Sequence, residues 1–85
     1  MFSVIWDHVA FDQMHAIILW NPSRKAEFAR ALRIAHRRLS EQAGTWGESR
    51  EGPYRIAFVD DLAFFYTVDL EDEVAEVVEV RLNPK

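Results

Sequence analysis

The sequence has no cysteine, only three glycines and three prolines, and no apolar run approaching the length of a membrane span. Each shortage excludes something. Without cysteine there is no disulfide, no thiolate nucleophile and no cysteine-ligated zinc, so packing alone must hold the fold. A bilayer crossing needs about 20 consecutive apolar residues. Phe2 to Trp6 is far shorter and meets Asp7 at once, which also makes it too brief for a secretory signal. The expectation is a soluble, cytoplasmic protein. No G-x-G-x-x-G or G-K-[ST] run is present to cradle phosphates. Ser3, Ser23, Ser40 and Ser49 lack the surroundings of a hydrolase nucleophile. His8, His15 and His36 are too scattered to pair as metal ligands, and the acidic run Asp69, Glu71, Asp72, Glu73 lacks EF-hand spacing and reads as a solvated turn. No metal and no cofactor is expected.

What is present is an apolar fraction of 49% and an aromatic fraction of 13% in 85 residues. A chain of this size buries about 60–65% of its unfolded surface, enough for one core, so a single domain over residues 1–85 is expected. The net charge of −4 and an isoelectric point near 5.2 argue mildly against nucleic acid as a partner. That average hides an asymmetry: residues 1–50 carry seven Lys/Arg against five Asp/Glu, and residues 51–85 carry three against nine.

Periodicity divides the chain. Phe2, Val4 and Trp6 alternate as in a strand. From about Ala10 the spacing becomes helical: Phe11, Met14 and Ile18, with Ile17 beside them, predict a short helix with these residues facing the core, ending near Trp20. Asn21-Pro22 breaks it and suits the start of the next helix, with Asn21 as N-cap and Pro22 at the first position. From Pro22 to about Ala43, Phe28, Leu32, Ala35 and Leu39 form an apolar stripe, opposite Arg30, Arg33 and Arg37. Gly44 is placed to end this helix in a left-handed cap. Residues 44–53 hold all three glycines and read as a loop. Three β-prone runs follow, Tyr54–Val59, Leu62–Val68 and Val74–Leu82, joined by the two-residue turn Asp60-Asp61 and a longer acidic turn from Asp69 to Glu73. The order β-α-α-β-β-β predicts an α+β fold, an antiparallel sheet with a helical hairpin on one face.

The candidate functional residues are cations. Arg30, Arg33 and Arg37 suit either phosphate binding or an ordinary solvated helix face. Arg55 alternates with Tyr54, Ile56 and Phe58, so it is expected on the sheet face opposite them. Arg81 shares a strand face with Glu79, where an ion pair is the plain expectation. If the helices cover one face, Arg55 and Arg81 are expected to project together from the other, a surface suited to a phosphodiester or an acidic partner segment.

With a basic helical hairpin, the loop Gly47–Pro53 leading into Tyr54-Arg55-Ile56-Ala57-Phe58, and a valine-rich last strand from Val74 to Leu82, the chain resembles the RelE/ParE superfamily. These are the plasmid-stabilisation-type toxins of bacterial type II toxin–antitoxin systems. The resemblance implies one of two activities: cleavage of mRNA on the ribosome, or inhibition of DNA gyrase by binding. It implies a cognate antitoxin as partner and no membrane. In the ribonuclease branch it implies Arg55 and Arg81 as catalytic cations, with Arg50, Arg30, Arg33 and Arg37 binding RNA or a partner. Cleavage by a ribose 2′-OH needs a base, an acid for the leaving oxygen, and cations for the charge on the phosphate. The ribonuclease branch places basic, His or Tyr groups just after the last strand, whereas Leu82, Asn83 and Pro84 supply neither His nor Tyr. Tyr54 and Tyr66 are the remaining proton donors, and Glu48 the remaining base. The missing pair is compatible with the gyrase-binding branch. The alternative is a degenerate, non-catalytic protein-interaction domain of the same fold.

Overall fold

Where the apolar period changes, the element changes. The computed structural model describes residues 1–83. Its elements are β1 (Ser3–Trp6), α1 (His8–Trp20), a 3-10 turn (Pro22–Arg24), α2 (Lys25–Trp46), β2 (Glu48–Ser49), β3 (Tyr54–Val59), β4 (Leu62–Asp69) and β5 (Val74–Leu82). The fold is α+β, as the order of elements predicts.

The sheet has five strands in the order β1-β5-β4-β3-β2. From β2 to β5 it is an antiparallel meander. β1 joins the other edge parallel to β5, Ser3 opposite Val74 and Trp6 opposite Val77, which makes the whole sheet mixed. Both helices cross one face and carry the chain from the β1 edge to the β2 edge. β5 contains a bulge: Phe65 pairs with Glu79 but Tyr66 pairs with Val77, so Val78 is the extra residue. Beside it the Gln13 side chain of α1 accepts a hydrogen bond from the Val80 amide at 2.7 Å.

The core lies between helices and sheet. Ala10 and Met14 of α1 and Phe28, Ala31, Ala35, Leu39 and Ala43 of α2 meet Ala57, Val59, Leu62, Phe64, Tyr66, Ala75, Val77 and Val80. Four of the seven helical contributors are alanine, so the helices lie close upon the sheet, and the bulk comes from Phe28, Phe64 and Tyr66. Two expectations about the helices change here. Phe11 is 63% exposed and does not face the core; Ala10 and Met14 do, one helical step round. The buried stripe of α2 takes in Ala31 and Ala43, while Leu32 is half-buried at its edge.

The helix ends differ as well. Asn21 makes no side-chain cap for the following turn. Its amide instead donates to the Ile17 carbonyl at 2.8 Å, closing the end of α1. Gly44 is inside α2, which kinks at Gln42 and continues to Trp46, and Gly47 ends it in an extended conformation. Gly44 is small because Leu70 packs there: a Cβ would meet Leu70 Cδ2 at 3.1 Å. The segment read as loop therefore holds the last helical turn and the edge strand β2.

At its other end α2 is tied to the sheet. Arg24 donates to Asp61 in the β3–β4 turn at 2.8 Å and to both oxygens of Glu27 at 2.7 and 2.9 Å. Its guanidinium carbon lies 4.6 Å from the centre of the Phe28 ring. The pair with Glu27 raises the Arg24 pKa and lowers that of Glu27.

Candidate functional site: three dispersed arginines and an apolar groove

Strand pairing assigns the faces. Ala57 and Val59 point to the helices, so Arg55, two residues before Ala57, points the same way. Arg81 pairs with Ala63, whose partner on the other side is Phe58, on the uncovered face, beside Glu79 and Phe65. The two cations expected together thus lie on opposite faces. The reason is that both sets of β3 residues are apolar: Ile56 and Ala57 are each more than nine-tenths buried. The bulkier set, Tyr54, Ile56 and Phe58, takes the uncovered side, and Ala57 and Val59 face the helices beside Phe64.

Arg55 stands just beyond the end of α2. Its Nη2 donates to the Gly47 carbonyl, the last of the carbonyls that a helix terminus leaves unpaired. A cation is favoured there by the helix dipole. The Arg55 Nε is buried and has no partner. The guanidinium borders a hollow of about 150 Å³ lined also by Gly44, Ser49, Gly52, Pro53, Val68 and Leu70.

Arg50 and Arg81 are paired with neighbours on their own strand or loop: Arg50 lies 3.4 Å from Glu48, and Arg81 donates to Glu79. The Arg81 guanidinium also sits 5.2 Å from the centre of the Phe65 ring. Arg50 is level with Tyr54, to which its amide donates, and Arg81 is level with Phe58. Three strand spacings across and four residues along the sheet separate them, roughly 20 Å. Arg30, Arg33 and Arg37 lie exposed on α2; Arg37 approaches Glu41 at 3.5 Å.

The residues considered for proton transfer are occupied otherwise. Tyr66 is fully buried; its hydroxyl accepts from the Gly47 amide and donates to the Ala43 carbonyl, each at 2.9 Å. Its ring stacks on Trp46, 6.1 Å between centres. Glu48 is the partner of Arg50. Tyr54 is half-exposed on the uncovered face, away from Arg55. Asn83 donates its amide to Asp61, and Pro84 lies outside the described residues. Among the described residues no group of three or more His, Asp or Glu is placed to hold a metal ion, and no helix is long and apolar enough to cross a membrane.

Sequence reasoning missed a groove between the helices. Trp6, Phe11, Met14, His15, Ile18 and Leu32 line one hollow of about 190 Å³. Trp6, Phe11, Leu32, Arg33, His36 and Arg37 line an adjoining one of about 400 Å³. The signal was present in α1, where Phe11, His15 and Ile18 make a second stripe at 4-3 spacing beside the core stripe.

No protein-family model matches the chain, and no curated protein matches it by sequence. Among solved structures, it is similar to a chain of the toxin–antitoxin complex RelBE2 from Mycobacterium tuberculosis. The identity is 20%, the TM-score is 0.76, and the match covers 96% of this chain and 98% of that one. A match over almost the full length of both chains shows the shared architecture, and the fold of this chain is RelE-type.

Proposed function

We propose that the protein is the toxin of a type II toxin–antitoxin module and that it acts by binding its target, not by cutting RNA. The observation that supports the first part is the end-to-end fold match to a chain of a toxin–antitoxin complex. A fold alone hosts many functions, so the second part is argued from the side chains. In-line cleavage needs a base, an acid and cations converging within hydrogen-bond reach of one phosphate. Here Arg55 and Arg81 are on opposite faces, Arg50 and Arg81 already face carboxylates, and Tyr66 is locked in the core. The acidic net charge adds long-range repulsion toward RNA. An inhibitor that binds needs only a surface, and DNA gyrase is the target that the resemblance implies.

One observation favours the ribonuclease reading in its place: the unpartnered Arg55 Nε beside a hollow able to admit a small anion. Induced expression in a bacterial host separates the possibilities. A binding toxin arrests growth and abolishes gyrase supercoiling at saturating protein, with mRNA intact. A ribonuclease cuts mRNA, and Arg55→Ala stops the cutting. Unimpaired growth on full expression rejects both in favour of a non-toxic interaction domain.

A further inference from the structure

We infer that the uncovered face of the sheet is an interface with a second copy of this chain, forming a weak two-fold dimer. The inference goes beyond the toxin reading and does not depend on it.

Strand pairing sets the side chains of this face in three rows. Arg81, Ala63 and Phe58 form the first. Glu79, Phe65 and Ile56 form the second, with Glu48 at its end. Glu76, Thr67 and Tyr54 form the third, with Ile5 beside Glu76. Both helices lie on the other side, yet Ile56 and Ala63 are more than nine-tenths buried. The side chains around them provide the cover, and those have none of their own: Tyr54, Phe58 and Ile5 are half exposed. Aromatic residues with arginine beside them are the composition enriched at protein interfaces.

The charges say which partner fits. Arg81 is exposed at one end of the face, and Glu76 stands four pairing positions away at the other. Among the described residues Glu76 has no ion-pair partner. In a face-to-face pair the two-fold axis lies between the sheets, either along the strands or across them. An axis across the strands at the second row lays the first row on the third row of the second copy. Phe58 then meets Tyr54, Ala63 meets Thr67 and Arg81 meets Glu76, each contact made twice. An axis along β4 instead sets Glu79 on Ile56 and Glu76 on Tyr54, burying carboxylates against apolar groups. The first arrangement is the self-complementary one. Its second row meets itself, Ile56 and Phe65 favourably, Glu79 and Glu48 unfavourably. Each of these two carboxylates is faced by an arginine of its own chain, Arg81 and Arg50.

The area sets the strength. Four strands about 4.8 Å apart and about 25 Å of strand length outline about 500 Å² in projection. Specific pairs bury about 800 Å² per partner, and weak ones less than about 600 Å². A reversible dimer with a dissociation constant in the micromolar range is expected.

The test is sedimentation velocity of the intact protein between about 5 and about 500 μM, a range that brackets such a constant. The wild type should pass from monomer to dimer within it, and less readily as salt rises. Phe58→Ser should weaken the dimer about tenfold or more, the size of a hot-spot truncation, and Glu79→Gln should tighten it. Arg81→Glu and Glu76→Arg should each be monomeric alone, because like charges then meet twice. Mixed together, the two variants should associate, since every Arg–Glu pair is restored across the interface; their association also shows that both are folded. A wild type that stays monomeric throughout leaves this face to some other molecule and overturns the inference. So does a dimer indifferent to Phe58→Ser, or a mixture of the charge variants no more associated than either alone. None of these readouts depends on growth arrest, so the dimer and the toxin reading fail separately.

Discussion

The Tyr66 hydroxyl stands between the Gly47 amide and the Ala43 carbonyl, 2.9 Å from each. An unbroken α-helix would join those two groups directly, residue i to i+4. A side chain inserted into the ladder is a known cause of a kink, and α2 departs from helical geometry at Gln42, one residue before Ala43. Tyr66 thereby fixes the end of α2 against β4, and with it the Gly47 carbonyl that Arg55 grips.

The first prediction concerns this junction. A Cβ on Gly47 would come within 2.8 Å of both the Tyr66 hydroxyl and the Ile56 carbonyl oxygen. Gly47→Ala must therefore displace β3 or expel the tyrosine, and it should lower stability more than Tyr66→Phe. The latter strands two buried backbone groups at a cost of about 1–3 kcal/mol. Denaturant unfolding of the two variants checks the order.

The second concerns the clamp at the other end of α2. Arg24 holds the Glu27 carboxyl below its ordinary value of 4.5. Because folding lowers this pKa, the contribution is complete above that ordinary value and disappears as pH falls through the native one. The wild type should exceed Glu27→Gln in stability at neutral pH, and the difference should vanish in acid. Both partners are exposed enough that added salt should shrink the difference as well. Thermal melts across pH and ionic strength measure it.

The third concerns the β3–β4 hairpin. Asp60 has a φ of 52°, with positive φ at the first central residue only, as in a type II′ turn, where glycine is usual. Asp60→Gly should be neutral or stabilising by up to about 1 kcal/mol, and Asp60→Val destabilising by a similar amount. Unfolding midpoints of the two variants decide it.

Much of this architecture is legible before any coordinates. β3, β4 and β5 follow the β-prone runs within a residue, because each is long, apolar and bounded by acidic turns. The unread parts have physical causes. β2 is two residues long and carries no period. The parallel pairing of β1 with β5 joins residues about 70 apart and leaves no local trace. Gly44 and Gly47 are both small and close together; which one ends α2 depends on Leu70 and Tyr66, which come from the sheet. Arg55 lies opposite Tyr54, Ile56 and Phe58, as the alternation predicts, but on the covered face and apart from Arg81; β3 is apolar on both sides, so its alternation does not say which side the helices take. Phe11 was assigned to the core because α1 carries more apolar residues than one face can bury.

The fourth prediction concerns Arg55. If its guanidinium chiefly caps α2 through Gly47, Arg55→Ala should lower stability by about 1–2 kcal/mol while leaving growth arrest in place at a temperature where the variant is folded. Circular dichroism and induced-growth curves, read together, separate loss of fold from loss of function.

The central claim is a toxin that binds and does not cut. It is tested most directly by mapping mRNA 5′ ends across the transcriptome in the first minutes after induction, in parallel with the Arg55→Ala variant. The account predicts growth arrest with no new mRNA ends in either strain. New ends at ribosome-bound codons in the wild type, absent in the variant, would contradict it.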